Sequence, residues 1–247
     1  MQTIWTAETI VKSFETDIRQ CWKPACFFQN MQEAATEHAA HLGFPFETMM
    51  AHNAIWILSR VKIVFLDFPR RQEKVIFETW PKGMQQKVFF MRDFNIRAGD
   101  GRQLALASTA WLLVNPTARR MLMPSALNGE LPHNDGRFAL NETLERINPP
   151  EDMPECFSTR ATYSTVDMMG HVNNARYVEW ISDCFSQEEH SARRLRWLQV
   201  NYNNEIRPGD EVTLSAAPKA GEEDTWLVQG TNQVSGAKAF EAAVGWA

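Results

Sequence analysis

The polar side chains with the clearest chemical potential stand in one short segment that leads into a helical pattern. Asp167, His171, Asn173 and Asn174 lie within eight residues of the chain. An asparagine at a helix start accepts a hydrogen bond from a free N–H of the first turn. That helix end also offers unpaired N–H groups and a partial positive charge. Beside a histidine and a carboxylate, it can hold a carbonyl whose oxygen becomes negative during nucleophilic attack. The simpler alternative is a capped helix with an incidental histidine.

The sequence of 247 residues lacks the motifs of several other classes of active site. The chain contains no G-x-S-x-G nucleophile elbow, no G-K-[ST] phosphate loop and no G-x-G-x-x-G dinucleotide motif. Its formal net charge of −5 argues against a nucleic-acid footprint over the whole chain. His38 and His41 lack a third metal ligand and are interpreted as a surface pair. We therefore expect no metal, no cofactor and no nucleic-acid partner.

Hydropathy and cysteine usage bear on the compartment. No apolar run reaches the roughly 18 residues of a membrane-spanning helix. The N-terminal residues have neither the basic and apolar regions of a secretory signal nor the arginine-rich composition of a transit peptide. The four cysteines, Cys21, Cys26, Cys156 and Cys184, form no C-x-x-C pair and are typical of reduced thiols. These features predict a protein of a bacterial cytoplasm with no membrane span.

The elements that must position the polar segment form a pattern that occurs twice. In the first half we predict a helix over residues 28–42 and strands over 75–80, 87–97, 103–115 and 119–123. In the second half we predict a helix over 174–186 and strands over 156–163, 195–205, 211–217, 225–232 and 237–246. Val61 and Val200 are 139 residues apart, as are Pro69 and Pro208. This spacing suggests an internal repeat.

The order of these elements predicts the fold class. A sheet of antiparallel strands with helices on one face is an α+β arrangement. One long helix wrapped by a curved antiparallel sheet is the hot-dog architecture, and we expect it twice. An N-terminal hot-dog over residues 1–125 and a C-terminal hot-dog over 153–247 are joined by a linker over 126–152, which is rich in proline, asparagine and aspartate.

The polar segment resembles a known signature. Residues 163–180 are similar to the pattern D-x-x-x-H-V-N-N-x-x-Y-x-x-W of the plant and bacterial acyl-acyl carrier protein (acyl-ACP) thioesterases, a double hot-dog family. The matching residues are Asp167, His171, Val172, Asn173, Asn174, Tyr177 and Trp180. The H-V-N-N part occurs more widely among hot-dog thioesterases. The resemblance implies hydrolysis of fatty acyl-ACP thioesters to free fatty acid and the carrier thiol, with acyl carrier protein as the partner.

The first half of the chain carries further pieces of this resemblance. They are Trp56 with Arg60, Asp67-Phe68-Pro69, Thr79-Trp80, Arg92-Asp93-Phe94, and Ser108, Trp111, Asn115 and Arg119-Arg120 within residues 105–120. With these pieces the resemblance covers about residues 5–247.

Two positions depart from the plant members of that family. Met169 stands where their motif has an asparagine treated as catalytic, and Ile206 stands where they have a cysteine after a glutamate. A methionine side chain cannot hydrogen-bond a water or an oxyanion, and an isoleucine closes a covalent cysteine route at this position. Cys184 lies on the apolar face of its predicted helix and is interpreted as a buried small hydrophobe.

The polar family positions that remain are Asp167, His171 and Glu205. We predict that Glu205 activates a water, that His171 assists and positions the thioester, and that Asp167 fixes the turn and the His171 side chain. The helix start at Asn173 and Asn174 polarises the carbonyl. We expect the aliphatic strand before Glu205 to give its carboxylate a partly apolar pocket, which makes it a stronger base. A surface glutamate beside a turn is the alternative.

The resemblance assigns acyl-chain binding to the first half and chemistry to the second. The side chains that we expect to form the acyl-binding wall are Phe27, Phe28, Met31, Trp56 and Leu58, with Met169 as a further substrate contact. Core packing is the alternative for these side chains.

Carrier binding requires a local basic patch, because acyl carrier proteins are strongly acidic and this chain is net negative. Arg193, Arg194 and Arg196, just before the strand that leads to Glu205, are the candidates, with a solvated basic loop as the alternative. Acyl-CoA hydrolysis and acyl binding without hydrolysis are the alternative functions. Both a monomer and a homodimer are compatible with two hot-dogs in one chain.

Overall fold

The computed structural model describes residues 2–247, which divide into two compact units. The first unit ends at Leu144, and the second spans Glu145–Ala247. The division falls inside the segment 126–152 for which the sequence predicts a linker. Each unit contains one principal helix and one antiparallel sheet.

The first unit places its long helix between its first and second strands. Its helices are α1 (Pro24–His41) and α2 (Phe46–Ala51). Its strands are β1 (Trp5–Ile10), β2 (Ile55–Phe65), β3 (Lys74–Gln85), β4 (Phe89–Ala98), β5 (Gln103–Asn115) and β6 (Arg120–Met121). The strands pair antiparallel in the order β1-β3-β4-β5-β2, and β6 adds to β5.

Helix α1 buries the face that its sequence makes apolar. Phe27, Phe28 and Met31 follow helical spacing and are all buried. The ring of Phe27 lies 4.7 Å from the ring of Trp22 and 5.2 Å from that of Phe65 on β2. These aromatic contacts fix α1 against the sheet of its own unit.

The second unit repeats this plan with shorter elements. Its helices are α3 (Asn174–Asp183) and α4 (Gln187–Ala192). Its strands are β7 (Glu155–Arg160), β8 (Leu195–Tyr202), β9 (Glu211–Pro218), β10 (Thr225–Asn232) and β11 (Lys238–Trp246). They pair antiparallel in the order β8-β11-β10-β9-β7.

Tyr177 anchors α3 to the sheet of the second unit. Its ring meets the rings of Phe240 on β11 and Tyr202 on β8 edge-on, at 5.1 and 5.4 Å. Gly230 on β10 makes room for Phe240, because a β-carbon at Gly230 would lie 2.0 Å from that ring. A larger residue at position 230 would therefore displace the ring on which α3 rests.

The two units share one topology. In the strand order of each unit the first strand stands at one end, the second strand stands at the other end, and the last three long strands lie between them. The predicted α+β class and the doubled hot-dog fold are confirmed.

The register of the repeat differs from the predicted one. The N–H of Leu66 donates to Leu104 O, as the N–H of Asn203 donates to Ala239 O, so equivalent positions after β2 and β8 are 137 residues apart and not 139. A shift of two residues leaves each strand residue on the same face of the sheet. The apolar strand residues of the two halves therefore match at the predicted offset of 139 residues as they do at the observed offset of 137.

The helix boundaries also differ from the predictions. Helix α1 begins at Pro24 and not at residue 28, since proline is compatible with the first helical turn. The helix predicted over 174–186 ends at Asp183, and Ser186 caps the separate helix α4 by accepting the N–H of Glu189. The short helices α2 and α4 were not expected.

His38 is buried and does not form a surface pair. Its ring nitrogens contact Gln2 O at 3.1 Å and the Arg92 guanidinium at 2.9 Å. Burial and the charge of Arg92 lower the pKa of His38 to about 4. At neutral pH this histidine is therefore a neutral part of the interior of the first unit.

Candidate active site

The polar segment between β7 and α3 folds as a compact turn; residues 163–173 are called loop 2. Val166 pairs with Val172 across the turn, and the N–H of Asp167 donates to His171 O at 2.9 Å. Gly170 has a φ of 76°, a conformation that other residues disfavour. The turn brings His171 to the start of α3.

Asp167 and Asn173 organise this turn through their side chains. Asp167 Oδ1 accepts the N–H of Met169 at 2.9 Å. Asn173 Oδ1 accepts the N–H of Ala175 at 3.0 Å, and its Nδ2 donates to Asp167 Oδ2 at 3.4 Å. Asn173 is thus the predicted helix cap, and Asp167 holds His171 through the main chain of the turn.

Tyr202 fixes the first residue of α3. Its hydroxyl donates to the carbonyl of Asn174 at 3.0 Å. Burial raises the pKa of Tyr202 well above its ordinary value, so the phenol remains a neutral donor. Asn174 is therefore held by its main chain, while Asn173 supplies the cap.

His171 and Glu205 form the central contact of the site. His171 Nε2 lies 2.9 Å from Glu205 Oε2, and Arg207 Nη2 lies 2.9 Å from Glu205 Oε1. The N–H of Val172 donates to Ile206 O at 2.9 Å, which joins loop 2 to the segment after β8. The side chains of His171 and Glu205 are 37% and 30% exposed, so solvent reaches both groups.

The surroundings of Glu205 differ from the predicted apolar pocket. Ile206 is fully buried, but the Glu205 carboxylate lies between an imidazole and a guanidinium. Charge-assisted hydrogen bonds of this kind fix the direction of a carboxylate. The expectation of an apolar pocket is therefore wrong, and the carboxylate is held by polar partners.

This arrangement can support attack by water on an acyl carbonyl. A partly exposed carboxylate in contact with a histidine can take a proton from water. The N-terminal end of α3, a few residues away along the chain, carries N–H groups and a partial positive charge that stabilise a developing oxyanion.

Cys184 lies away from these groups, at the opposite end of α3 from His171. Its thiol donates to Trp180 O at 3.4 Å. A hydrogen bond with the thiol of Cys156 and burial raise the pKa of Cys184. A protonated thiol is a poor nucleophile. The interpretation of Cys184 as a packing residue therefore agrees with its surroundings.

The residues predicted to contact the acyl chain fall into two groups. The five predicted for the acyl-binding wall are in the interior of the first unit, on α1 and β2: Phe27, Phe28, Met31, Trp56 and Leu58. Met169 lies in loop 2 of the second unit and is 36% exposed.

The three predicted basic residues lie at the far end of β8 from Glu205. Arg193 follows α4, the N–H of Arg194 donates to Ala247 O, and Arg196 is the second residue of β8. A strand rises about 3.3 Å per residue, so about 20 Å separate Arg196 from Tyr202 along β8. Glu205 lies beyond Tyr202. The structure does not bring these arginines to the His171–Glu205 pair.

Two residues of the site were not found by sequence reasoning. Arg207 contacts the carboxylate of Glu205, and Tyr202 holds the start of α3. The only signal for Arg207 is its position two residues after Glu205, in the turn that the alternative for Glu205 invokes. Tyr202 carries no distinguishing signal within an apolar strand.

Residues 2–247 contain neither a metal-ligand cluster nor a membrane-spanning helix. No group of three His, Cys, Asp or Glu side chains in this range is placed as metal ligands would be. No helix in this part of the chain combines the length and the apolar composition needed to cross a membrane.

Comparison with family models matches both units. Residues 2–125 match the model described as acyl-ACP thioesterase N-terminal domain, and residues 151–247 match the acyl-ACP thioesterase C-terminal domain. The second match includes loop 2 and the segment that carries Glu205.

Curated proteins similar to this chain include plant acyl carrier protein thioesterases. Oleoyl-acyl carrier protein thioesterase 2 of Arabidopsis thaliana is 24% identical over 90% of this chain, and a palmitoyl-acyl carrier protein thioesterase of Gossypium hirsutum is 23% identical over 87%. The chain spans 65% and 54% of the lengths of these two relatives.

The solved structures share the fold over nearly the whole chain. An acyl-ACP thioesterase from Bacteroides thetaiotaomicron is 24% identical with a TM-score of 0.82, covering 99% of this chain and 98% of its own. The 12:0-ACP thioesterase from Umbellularia californica is 17% identical with a TM-score of 0.79, covering 100% and 98%.

Proposed function

The chain belongs to the acyl-ACP thioesterase family, and from this premise we propose that it hydrolyses fatty acyl-ACP thioesters to free fatty acid and the carrier thiol. The observation that carries the proposal is the contact of 2.9 Å between His171 Nε2 and Glu205 Oε2, beside the N-terminal end of α3. The relatives named for oleoyl and palmitoyl carrier-protein substrates support the substrate class.

In the proposed reaction Glu205 is the general base. Its carboxylate takes a proton from a water molecule, and the water oxygen forms a bond to the thioester carbonyl carbon. The N-terminal end of α3, capped by Asn173 and begun by Asn174, stabilises the oxyanion. Collapse of this intermediate breaks the carbon–sulfur bond. The proton returns from Glu205 to the leaving thiolate through His171, whose ring contacts the carboxylate.

Arg207 and Asp167 position these groups. Arg207 binds the second oxygen of the Glu205 carboxylate, which leaves Oε2 directed at His171. Asp167 fixes the turn that carries His171. Met169, at the position of the plant family's asparagine, contributes a main-chain N–H to this turn, and its side chain is proposed to contact the substrate.

We assign acyl-chain binding to the N-terminal hot-dog, residues 1–125, and the chemistry to the C-terminal hot-dog, residues 153–247. In the first unit the corresponding turn is residues 13–23, called loop 1. Cys21 of loop 1 corresponds to His171, and Phe68 corresponds to Glu205. An apolar ring in place of the base supports a binding role for the first unit, with its buried aromatic side chains as the acyl-binding wall.

We also propose that the protein works in a bacterial cytoplasm. The support is that all four cysteines are free thiols, although Cys156 and Cys184 are in hydrogen-bond contact with one another. A thiol pair in contact remains reduced in a reducing compartment.

The test is the release of free thiol from dodecanoyl-, palmitoyl- and oleoyl-ACP and from the same acyl groups on coenzyme A. The proposal predicts a higher kcat/KM for at least one acyl-ACP than for its acyl-CoA. A preference for acyl-CoA would replace it with an acyl-CoA thioesterase. Binding of acyl-ACP without thiol release would replace it with an acyl-binding protein that does not hydrolyse.

A further inference from the structure

Loop 2, which carries His171, also exposes two large apolar side chains. Tyr163 is 97% exposed and Met168 is 81% exposed. Side chains of this size lose favourable burial when they face water, and in complexes such residues fill pockets of a partner and contribute much of the binding energy. Neither side chain has a part in the proposed chemistry.

Both side chains are tied to the site by the backbone of loop 2. Met168 follows Asp167 directly, and the N–H of Asn173 donates to Thr165 O at 3.0 Å, which holds the short 3-10 turn of Tyr163 against the start of α3. A partner that contacts loop 2 is therefore brought next to His171.

Two exposed arginines near loop 2 offer contacts to an acidic partner, beside the carboxylates of Asp167, Glu205 and Asp210. The side chain of Arg207 is 55% exposed while it holds Glu205. Arg160, at the end of β7, is exposed and donates from Nε to Gly209 O at 3.1 Å. Positive groups at the rim of an interface accelerate the encounter with an acidic protein.

From these observations we propose that loop 2, through Tyr163 and Met168, is the surface on which the acyl carrier protein docks, with Arg160 and Arg207 steering its approach. The proposal rests on the proposed function and specifies its partner surface. It replaces Arg193 and Arg196 as the principal contact, because those residues lie about 20 Å or more from the Glu205 end of β8.

The experiment compares a double variant, Tyr163→Ser with Met168→Ser, with the wild-type protein. Hydrolysis is measured on dodecanoyl-, palmitoyl- and oleoyl-ACP and on the matching N-acetylcysteamine thioesters, which have no carrier protein. We expect KM for acyl-ACP to rise by about tenfold or more, the size typical of removing interface anchors. Hydrolysis of the N-acetylcysteamine thioesters is expected to change less than about twofold, since the His171–Glu205 pair is untouched.

Loop 1 supplies a matched control within the same chain. Ile18 corresponds in position to Met168 and is 74% exposed, but the first unit has Cys21 and Phe68 in place of His171 and Glu205. Ile18→Ser is expected to leave KM for acyl-ACP unchanged. The pair Arg193→Glu with Arg196→Glu tests the distant basic surface and is expected to change KM less than the loop 2 variant.

Three outcomes would overturn the docking surface: equal loss on both kinds of substrate, an equal effect of Ile18→Ser, or a larger effect of the Arg193 and Arg196 reversals. Calorimetric titration with the carrier protein in its free-thiol form, which cannot be hydrolysed, tests the same surface through Kd, which the loop 2 variant is expected to raise by about tenfold or more. A wild-type protein that binds the carrier through loop 2 but releases no thiol would refute the proposed hydrolysis and support the docking surface.

Discussion

Loops 1 and 2 have the same backbone and different chemistry. Each starts with a short 3-10 turn and closes with a bridge between two residues. The N–H of Asp17 donates to Cys21 O at 2.8 Å, as the N–H of Asp167 donates to His171 O at 2.9 Å. The residue before Cys21 is Gln20 with a φ of 62°, where loop 2 has a glycine in the same left-handed region.

The side chains differ at the positions that could carry chemistry. Cys21 takes the place of His171, and Phe68 takes the place of Glu205. The ring of Phe68 stacks on that of Phe65 at 5.0 Å, so this position adds to the core of the first unit. At this position the first unit therefore has a packing residue, whereas the second unit has a carboxylate held against a histidine.

The two loops distinguish the residues that build the turn from those that could carry the reaction. Both loops keep the aspartate, although only loop 2 carries a histidine, which contacts Glu205, so the aspartate is needed to build the turn irrespective of catalysis. The chemistry depends on the side chains that the turn carries and contacts. Substitutions at equivalent positions of the two loops should therefore have similar effects on stability and different effects on activity.

Removal of Glu205, the proposed base, should have the largest effect. Glu205→Gln keeps the size and hydrogen bonding of the side chain but removes the carboxylate, so kcat on acyl-ACP is expected to fall by about 10²–10⁴-fold. Steady-state kinetics measures the loss, and circular dichroism checks that the variant remains folded. Full activity in folded Glu205→Gln would show that another group activates water.

His171 and Cys21 form the next pair. His171→Ala is expected to lower kcat by about 10²-fold, because it removes the group proposed to return the proton to the thiolate. Cys21→Ala is expected to leave kcat within about twofold, since loop 1 has no catalytic partner for its side chain. Kinetics on the same acyl-ACP compares the two variants directly. Equal losses would mean that both loops take part in the reaction.

Asp17 and Asp167 occupy equivalent positions of the two loops, so substitutions there should have similar effects on stability and different effects on activity. Asp17→Ala removes the hydrogen bonds that Asp17 Oδ1 accepts from the N–H groups of Arg19 and Cys21, and Asp167→Ala removes the one that Asp167 Oδ1 accepts from the N–H of Met169. Each is expected to cost about 1–2 kcal/mol of unfolding free energy, in line with hydrogen bonds to charged groups. Denaturant titration measures this loss.

Only the Asp167 substitution should also reduce kcat, by roughly tenfold or more, because misplaced catalytic groups react slowly. If Asp17→Ala reduced kcat to the same extent, the separation of turn and chemistry between the two loops would be wrong.

The fold was predictable from the sequence because strong local patterns agree with it. Strands β5 and β10 have the predicted limits, 103–115 and 225–232. Helices α2 and α4 were missed because each has only six residues, too few for helical periodicity to emerge. The repeat was found in the wrong register because a strand pattern with a period of two fits equally well after a shift of two residues.

The site was predictable only in part. The motif around His171 and Asn173 identified the turn and its cap, and the resemblance identified Glu205. The surroundings of Glu205 were not predictable from its neighbours in the chain, since Arg207 and His171 reach the carboxylate through tertiary structure. Position in the sequence suggested that Arg193 and Arg196 lie near Glu205, but an extended strand separates them from it.

The smallest effect is expected at Cys184, the thiol at the far end of α3. Its thiol is kept protonated by the contact with Cys156 and by burial, and a hydrogen bond to Trp180 O holds it against the helix. Cys184→Ala removes one sulfur atom from a half-buried position, so it should leave kcat within about twofold and lower stability by no more than about 1 kcal/mol. Kinetics and thermal unfolding measure the two quantities, with Cys156→Ala as the control that removes the thiol contact from the other side. If Cys184→Ala abolished hydrolysis while Glu205→Gln kept full activity, attack by water would have to be replaced by a covalent route through this cysteine, and the reacting group would lie at the opposite end of α3 from loop 2.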